Sequence, residues 1–119
     1  MTGYDIIIVG GGTAGLTAAI YARRAGKTVL VLEAVGFGGQ ITSSPLVENY
    51  PGLPAVSGSD YAAALTAQAK ALGAETKFGQ VTGVQREGDH FLLTAGRKTF
   101  EARALILCTC ARHRKLGLD

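Results

Sequence analysis

The chain has 119 residues, 47% of them hydrophobic, with a formal net charge of +3 at pH 7. That length suits a single domain with a buried core, and the composition is that of an ordinary globular protein apart from its 17 glycines. No apolar run is long enough to cross a membrane, because the first one breaks at Gly10.

The positive charge does not point to a nucleic-acid partner. Lys and Arg residues are scattered, and the one small basic cluster, Arg112–Lys115, has no aromatic residues interleaved with it. We expect a solvated surface, although a modest positive field would favour an anionic cofactor. The N-terminus has neither the basic segment nor the small-residue cleavage site of a signal peptide, so we expect a cytoplasmic protein that does not contact a membrane.

A glycine-rich turn follows the first predicted strand. The run Asp5–Val9 leads into the spacing Gly10-x-Gly12-x-x-Gly15, and an Ala-rich helix is predicted over Thr13–Ala25. Gly10 permits a sharp turn, Gly12 has no Cβ to keep a pyrophosphate from the backbone, and Gly15 allows the helix to pack closely on the strand. The N–H groups and dipole of the first helical turn then form a diphosphate site. The alternative is a glycine-rich turn that binds no ligand.

The second predicted strand ends on an acidic residue. Gly26 is expected to end the helix, and the continuous apolar run Thr28–Leu32 is typical of a parallel strand covered on both faces. Strand, helix and strand predict a right-handed βαβ unit. Glu33 follows the glycine motif by roughly 20 residues, where a ribose-binding carboxylate is expected.

A long segment without helical or strand periodicity comes next, over Ala34–Ser59. A loop of this length in a compact domain is either functional or disordered. Polar residues such as Gln40 and Asn49 alternate here with apolar residues such as Phe37 and Ile41, and a disordered linker would have fewer apolar residues. We therefore expect a functional loop.

The second half of the chain predicts one helix and several strands. The helix is expected over Tyr61–Leu72, after an N-cap region at Ser57–Asp60, and a third parallel strand over Ala74–Phe78. A three-stranded antiparallel meander is predicted over Gln80–Arg86, His90–Thr94 and Lys98–Glu101, followed by a separate buried strand, Ala102–Cys108, that returns to the parallel sheet.

Four motifs together carry a resemblance to a known family. They are Gly10–Leu16, the Gly38-Gly39-Gln40-Ile41-Thr42 turn, Glu48-Asn49-Tyr50-Pro51-Gly52 and the closing Lys115–Leu118. In these motifs the chain resembles low-molecular-weight bacterial thioredoxin reductases, two-domain flavoproteins of the pyridine nucleotide-disulphide oxidoreductase class. The resemblance implies an α/β, Rossmann-like three-layer FAD-binding domain with a central parallel sheet, crossover helices and an antiparallel β-meander. Residues 1–119 would form one partial FAD-binding domain, incomplete relative to the family and without its NADPH-binding domain.

The resemblance also implies FAD as the cofactor and a set of residues that contact it. These are Gly10, Gly12, Thr13, Ala14 and Gly15 at the pyrophosphate, Glu33 and Ala34 at the adenosine ribose, Gly39, Gln40, Ile41 and Asn49 on the flavin side, Val81 near the adenine, and Thr109 at the end of the last strand. For Gln40 and Asn49 the alternative is that they only satisfy loop backbone groups.

The chain departs from the family pattern at Cys108-Thr109-Cys110, where the family commonly has Ala-Thr-Gly. Cys110 would add a side chain where the backbone approaches the cofactor. The two cysteines do not match the family's redox Cys-x-x-Cys in spacing or location. We interpret them as thiols, with an intermolecular disulphide, a metal site involving His113 and an introduced change as alternatives.

Two functions are compatible with these motifs. The first is the FAD-binding part of an oxidoreductase that passes electrons from NADPH through FAD to a disulphide or small acceptor. Its second nucleotide motif and redox cysteines would lie outside this chain, in a missing C-terminal half or a second subunit, and a homodimer is a further expectation. The second is a catalytically silent nucleotide-binding or structural module. Neither a catalytic residue nor a resident metal site is predicted within the chain.

Overall fold

The computed structural model describes residues 2–39 and 57–109 as six strands and two helices. In chain order these are β1 Thr2–Val9, α1 Thr13–Arg24, β2 Val29–Glu33, α2 Gly58–Ala71, β3 Glu75–Phe78, β4 Val81–Glu87, β5 His90–Ala95 and β6 Lys98–Leu107. Helix α2 begins three residues before the predicted start, because Ser57 is the N-cap and its Oγ accepts a 3.0 Å hydrogen bond from the Asp60 amide.

All six strands form one mixed sheet in the order β3-β2-β1-β6-β5-β4. Strands β3, β2, β1 and β6 are parallel, and β6, β5 and β4 pair antiparallel as the meander. The predicted parallel strands and the meander are therefore confirmed.

The prediction of two separate strands at the end of this region was wrong, because Lys98–Leu107 is one continuous strand. Its first five residues pair with β5, and Phe100–Leu107 pairs with β1, so the strand belongs to both the meander and the parallel sheet. The expectation that its second half is buried was also wrong, since Leu107 is 69% exposed. Beyond Ala102, no strand among the described residues pairs with the edge of β6 that faces away from β1.

Two apolar clusters lie on the two faces of the parallel strands, which confirms a three-layer arrangement. On one face, Leu16 and Ile20 of α1 and Leu65 of α2 pack against β1 and β2. On the other, Leu93 of β5 and Phe100 of β6 pack against the same two strands. Strand β2 lies between these layers, and all five of its residues are buried.

The four parallel strands end at one edge of the sheet, where ligands bind in open α/β folds. The segments that leave this edge begin at Gly10, Ala34, Gly79 and Cys108. Within the ranges 2–39 and 57–109, no helix is long and apolar enough to span a membrane.

Candidate cofactor-binding site

The chain turns sharply at Gly10, immediately after β1. This residue has a φ of +111°, and a Cβ built on it would lie 2.1 Å from the carbonyl oxygen of Cys108. Its amide donates a 2.8 Å hydrogen bond to the carbonyl of Leu32, which fixes the turn against the end of β2. The predicted role of Gly10 as the turn residue is confirmed, because an L side chain would meet both an unfavourable φ and a backbone collision.

Helix α1 begins directly after this turn, with Gly12 at the N-cap. Gly12 has no side chain to cap the first-turn amides, and the first turn, which includes Thr13 and Ala14, contains no acidic residue. A Cβ on Gly15 would lie 1.9 Å from the carbonyl oxygen of Gly10, which confirms the predicted close packing of helix on strand. The helix therefore presents an electropositive N-terminus without a side-chain cap at the carboxyl edge of the sheet.

The side chain of Glu33 is buried beside this turn, with 8% of its surface exposed. Its Oε1 accepts a 2.7 Å hydrogen bond from the Gly11 amide, and its Oε2 accepts bonds from the amides of Val35 at 2.7 Å and Gly36 at 3.1 Å. Burial alone would raise the pKa of Glu33, but the backbone N–H donors outweigh it and hold that pKa below its usual value. Glu33 is therefore a buried carboxylate that stays ionised at neutral pH.

The start of the long loop is attached to the glycine turn. The Gly38 amide donates a 2.7 Å hydrogen bond to the Gly11 carbonyl, and Gly12 and Gly38 form a parallel bridge. The ring of Phe37, the residue before Gly38, occupies the space that a side chain on Gly11 would need. Ala34 is exposed and Gly39 half-buried in this segment.

The chain passes the end of β2 just before Val81, the first residue of β4. At this point the Gly79 amide donates a 2.9 Å hydrogen bond to the carbonyl of Glu33. Val81 is half-buried against the apolar cluster that contains Leu93 and Phe100, and it pairs with Ala95.

The end of β6 forms the other wall of the glycine turn. The Cys108 amide donates a 2.7 Å hydrogen bond to the carbonyl of Val9, and its carbonyl lies against Gly10. Cys108 is a free thiol whose pKa is raised by burial, and Thr109 beside it is exposed. No group of three or more metal-ligating side chains occurs within the described ranges, which end before Cys110 and His113.

The structure brings the glycine turn, Glu33 and Thr109 to the carboxyl ends of the neighbouring parallel strands β1, β2 and β6. Val81 instead begins β4, the strand at the far edge of the sheet. Gln40, Ile41 and Asn49 lie outside the described residues. Sequence reasoning did not single out the Gly11 amide as a partner of Glu33, or Phe37 as a neighbour of Gly11. The Gly-x-Gly-x-x-Gly spacing does not require a glycine at position 11, so this extra glycine was the feature of the sequence that could have indicated both contacts.

Comparison with known families matches residues 4–119 to the pyridine nucleotide-disulphide oxidoreductase family. The chain belongs to this family. It is similar to the thioredoxin reductase of Listeria monocytogenes, with 44% identity over 96% of this chain and 36% of the relative. It is also similar to the crystal structure of Lactococcus lactis thioredoxin reductase, with 36% identity, a TM-score of 0.91 and coverage of 96% of this chain and 38% of that one.

A third relative is a ferredoxin-flavin thioredoxin reductase from Clostridium acetobutylicum. Its structure matches with a TM-score of 0.88 and 32% identity, over 97% of this chain and 40% of that one. The chain therefore has the same FAD-domain-like fold as these members of the family and spans little more than a third of their length. The family implies a flavin cofactor.

Proposed function

We propose that this chain is the FAD-binding part of a thioredoxin-reductase-like oxidoreductase. The observation that carries the proposal is the N-terminus of α1, which has no side-chain cap, beside the buried, ionised Glu33 at the carboxyl edge of the parallel sheet. A helix N-terminus attracts a diphosphate, and a carboxylate at the end of the second strand accepts hydrogen bonds from ribose hydroxyls.

The residues present fit the adenosine diphosphate half of FAD. The bare Cα of Gly12 and the first-turn amides at Thr13, Ala14 and Gly15 would hold the pyrophosphate. The Glu33 carboxylate accepts hydrogen bonds from the amides of Gly11, Val35 and Gly36, and the Ala34 amide also lowers its pKa. A ribose hydroxyl would be a further donor to this carboxylate.

The proposed site has further contacts on its adenosine and flavin sides. Ala34 and Val81 would lie beside the adenosine, and Thr109 near the end of β6. Gly39, Gln40, Ile41 and Asn49 would form the flavin side.

When bound, FAD would supply the two-electron chemistry of the enzyme, while this chain binds and orients it. We propose NADPH as the electron source and a disulphide or small molecule as the acceptor, with the NADPH site and the redox cysteines on polypeptide outside this chain. No described strand covers the outer edge of β6 after Ala102, which supports a further part of the fold there, from the same enzyme or a second subunit. The proposed location of the protein is cytoplasmic.

Titration of the purified chain with FAD, ADP and FMN tests the proposal. We expect FAD and ADP to bind and FMN to bind far more weakly, because FMN lacks the adenosine diphosphate that the described residues would hold. Binding is measured by calorimetry for all three ligands and by flavin fluorescence for FAD and FMN. A chain that takes up neither FAD nor ADP at millimolar concentration would favour the silent structural module instead.

Three variants test where the ligand binds. Glu33→Ala should weaken ADP and FAD binding by about 1.5 to 3 kcal/mol, the scale of a hydrogen bond to a charged group. Glu87→Ala, at the exposed end of β4, is the matched control and should leave both affinities unchanged.

Cys110→Gly should tighten FAD binding if the cysteine side chain obstructs the cofactor, and equal affinity would show that the site accommodates it.

A further inference from the structure

We propose that Phe37 is a positioning residue for the adenosine end of the site. Its ring, seated against the bare Cα of Gly11, holds the Gly11 amide on the Glu33 carboxylate. The effect on ligand binding rests on the function proposed above, whereas the effect on the Gly11–Glu33 hydrogen bond does not.

The contact between Phe37 and Gly11 leaves no room for a side chain at position 11. A Cβ built there would lie 2.5 Å from Cδ1 and 2.8 Å from Cε1 of Phe37, and 3.0 Å from the Cβ of Glu33. The φ of Gly11 is not in the left-handed region, so its backbone conformation does not itself require glycine. The packing of Phe37 and Glu33 therefore explains why position 11 is a glycine.

Hydrogen bonds on both sides of Phe37 connect its position to that of Glu33. The preceding residue, Gly36, donates to Oε2 of Glu33, and the following residue, Gly38, donates to the carbonyl of Gly11. The Phe37 ring is thus the apolar contact at the centre of a set of bonds that hold Gly11 and Glu33 together. Removing the ring would leave those bonds without the packing that excludes water from them.

A second aromatic ring, Phe78 at the end of β3, contacts Phe37. The Phe37 and Phe78 rings meet edge to face, with centroids 5.1 Å apart and an interplanar angle of 68°. Phe78 is 70% exposed and pairs with Glu33 in the β2–β3 register. Phe78 is therefore the matched control, because its removal leaves the Phe37–Gly11 contact in place.

The first experiment compares Phe37→Ala with Phe78→Ala by amide hydrogen exchange and by calorimetry with ADP. Phe37→Ala should speed exchange of the Gly11 amide and weaken ADP and FAD binding by about tenfold each, as expected when a hydrogen bond to a buried charge is loosened. Phe78→Ala should change each by less than about threefold. The Leu30 amide, in the fully buried β2, reports global opening, so the effect at Gly11 is the acceleration beyond that of Leu30 in the same variant.

A double-mutant cycle tests the contact itself. Gly11→Ala should destabilise the wild-type chain markedly and the Phe37→Ala chain much less, because truncating the ring frees the space that the new Cβ needs. If Phe37→Ala does not fold, Phe37→Leu replaces it as the test variant. Because leucine keeps an apolar side chain, the Gly11 amide should retain part of its protection from hydrogen exchange.

The outcomes separate this inference from the proposed function. If the wild-type chain binds ADP but Phe37→Ala leaves both the affinity and the Gly11 exchange rate unchanged, the positioning role is wrong. Equal destabilisation by Gly11→Ala in both backgrounds would also overturn it. If the wild-type chain binds neither ADP nor FAD, the proposed function fails, and the Gly11 exchange rate and the double-mutant cycle still decide the role of Phe37.

Discussion

The backbone amide of Gly11 donates a 2.7 Å hydrogen bond to Oε1 of Glu33, a residue 22 positions further along the chain. This bond joins the turn after β1 to the end of β2 and is buried. It makes the carboxylate a part of the turn's structure as well as the proposed ribose ligand. Variants of Glu33 should therefore change stability even without a cofactor.

The stability of the free chain should depend on the ionisation of Glu33. Its native pKa is lowered, so the carboxylate contributes stability at neutral pH, and that contribution is lost as pH falls from the usual glutamate pKa through the native one. Glu33→Gln should cost about 1 to 3 kcal/mol at pH 7, and the difference from wild type should shrink on acidification. Chemical unfolding between pH 7 and pH 3 measures it.

Glu87→Gln is the control for this experiment, because it removes a carboxylate at the exposed end of β4. Asp5 and Asp89 also have lowered pKa values, but they are present in all three proteins and cancel in the comparison. A Glu33→Gln chain with the same pH dependence as wild type would contradict the assignment.

Gly15 should tolerate no side chain. Gly15→Ala places a Cβ 1.9 Å from the Gly10 carbonyl oxygen, and we expect a loss of about 3 kcal/mol or more in the free energy of unfolding. Gly36→Ala is the matched control in the adjoining loop, since a Cβ there has no atom within 4 Å, and should stay within about 0.5 kcal/mol of wild type. Thermal unfolding followed by circular dichroism distinguishes them, and equal effects would rule out the close helix–strand contact.

Arg23 should stabilise the end of the helical layer. Its Nε donates to the carbonyl of Leu72 and its guanidinium to that of Lys27, both at 2.8 Å, which connects the ends of α1 and α2. Arg23→Ala should cost about 1 to 2 kcal/mol of stability, whereas Arg24→Ala, at the exposed neighbouring position, should cost a few tenths. Denaturant unfolding measures both, and a similar loss for the two variants would contradict the role of Arg23.

The outer edge of β6 should promote association. Leu107 is 69% exposed beside a strand edge that no described strand covers, and such edges pair with other chains. Leu107→Lys should raise the solubility of the isolated chain and lower its sedimentation-derived mass if it self-associates. Tyr21→Lys, equally exposed at 69% but on a helix, should do neither, and an equal gain from both would point to general surface hydrophobicity.

The elements of the parallel sheet were predictable because their signals are local. The apolar run of β2 predicted a strand buried on both faces, and all of its residues are buried. The apolar run at the end of β6 predicted the same burial, but that part of the strand is partly exposed. The burial of a strand depends on the neighbours that cover it, which the run itself does not specify. Local sequence also gave no reason to join Lys98–Glu101 to Ala102–Cys108 as one strand, since that depends on β1 and β5 pairing with it.

By itself, the sequence determined the glycine turn, the helix that starts from it and the position of Glu33, because glycine spacing and hydrophobic periodicity act over a few neighbouring residues. The hydrogen bond from the Gly11 amide to Glu33 and the packing of Phe37 beside Gly11 depend on how distant segments meet in the folded chain. Hydrogen bonds and side-chain packing are short-ranged in space and can join residues far apart in the chain, so these contacts exist only once β1 and β2 lie side by side.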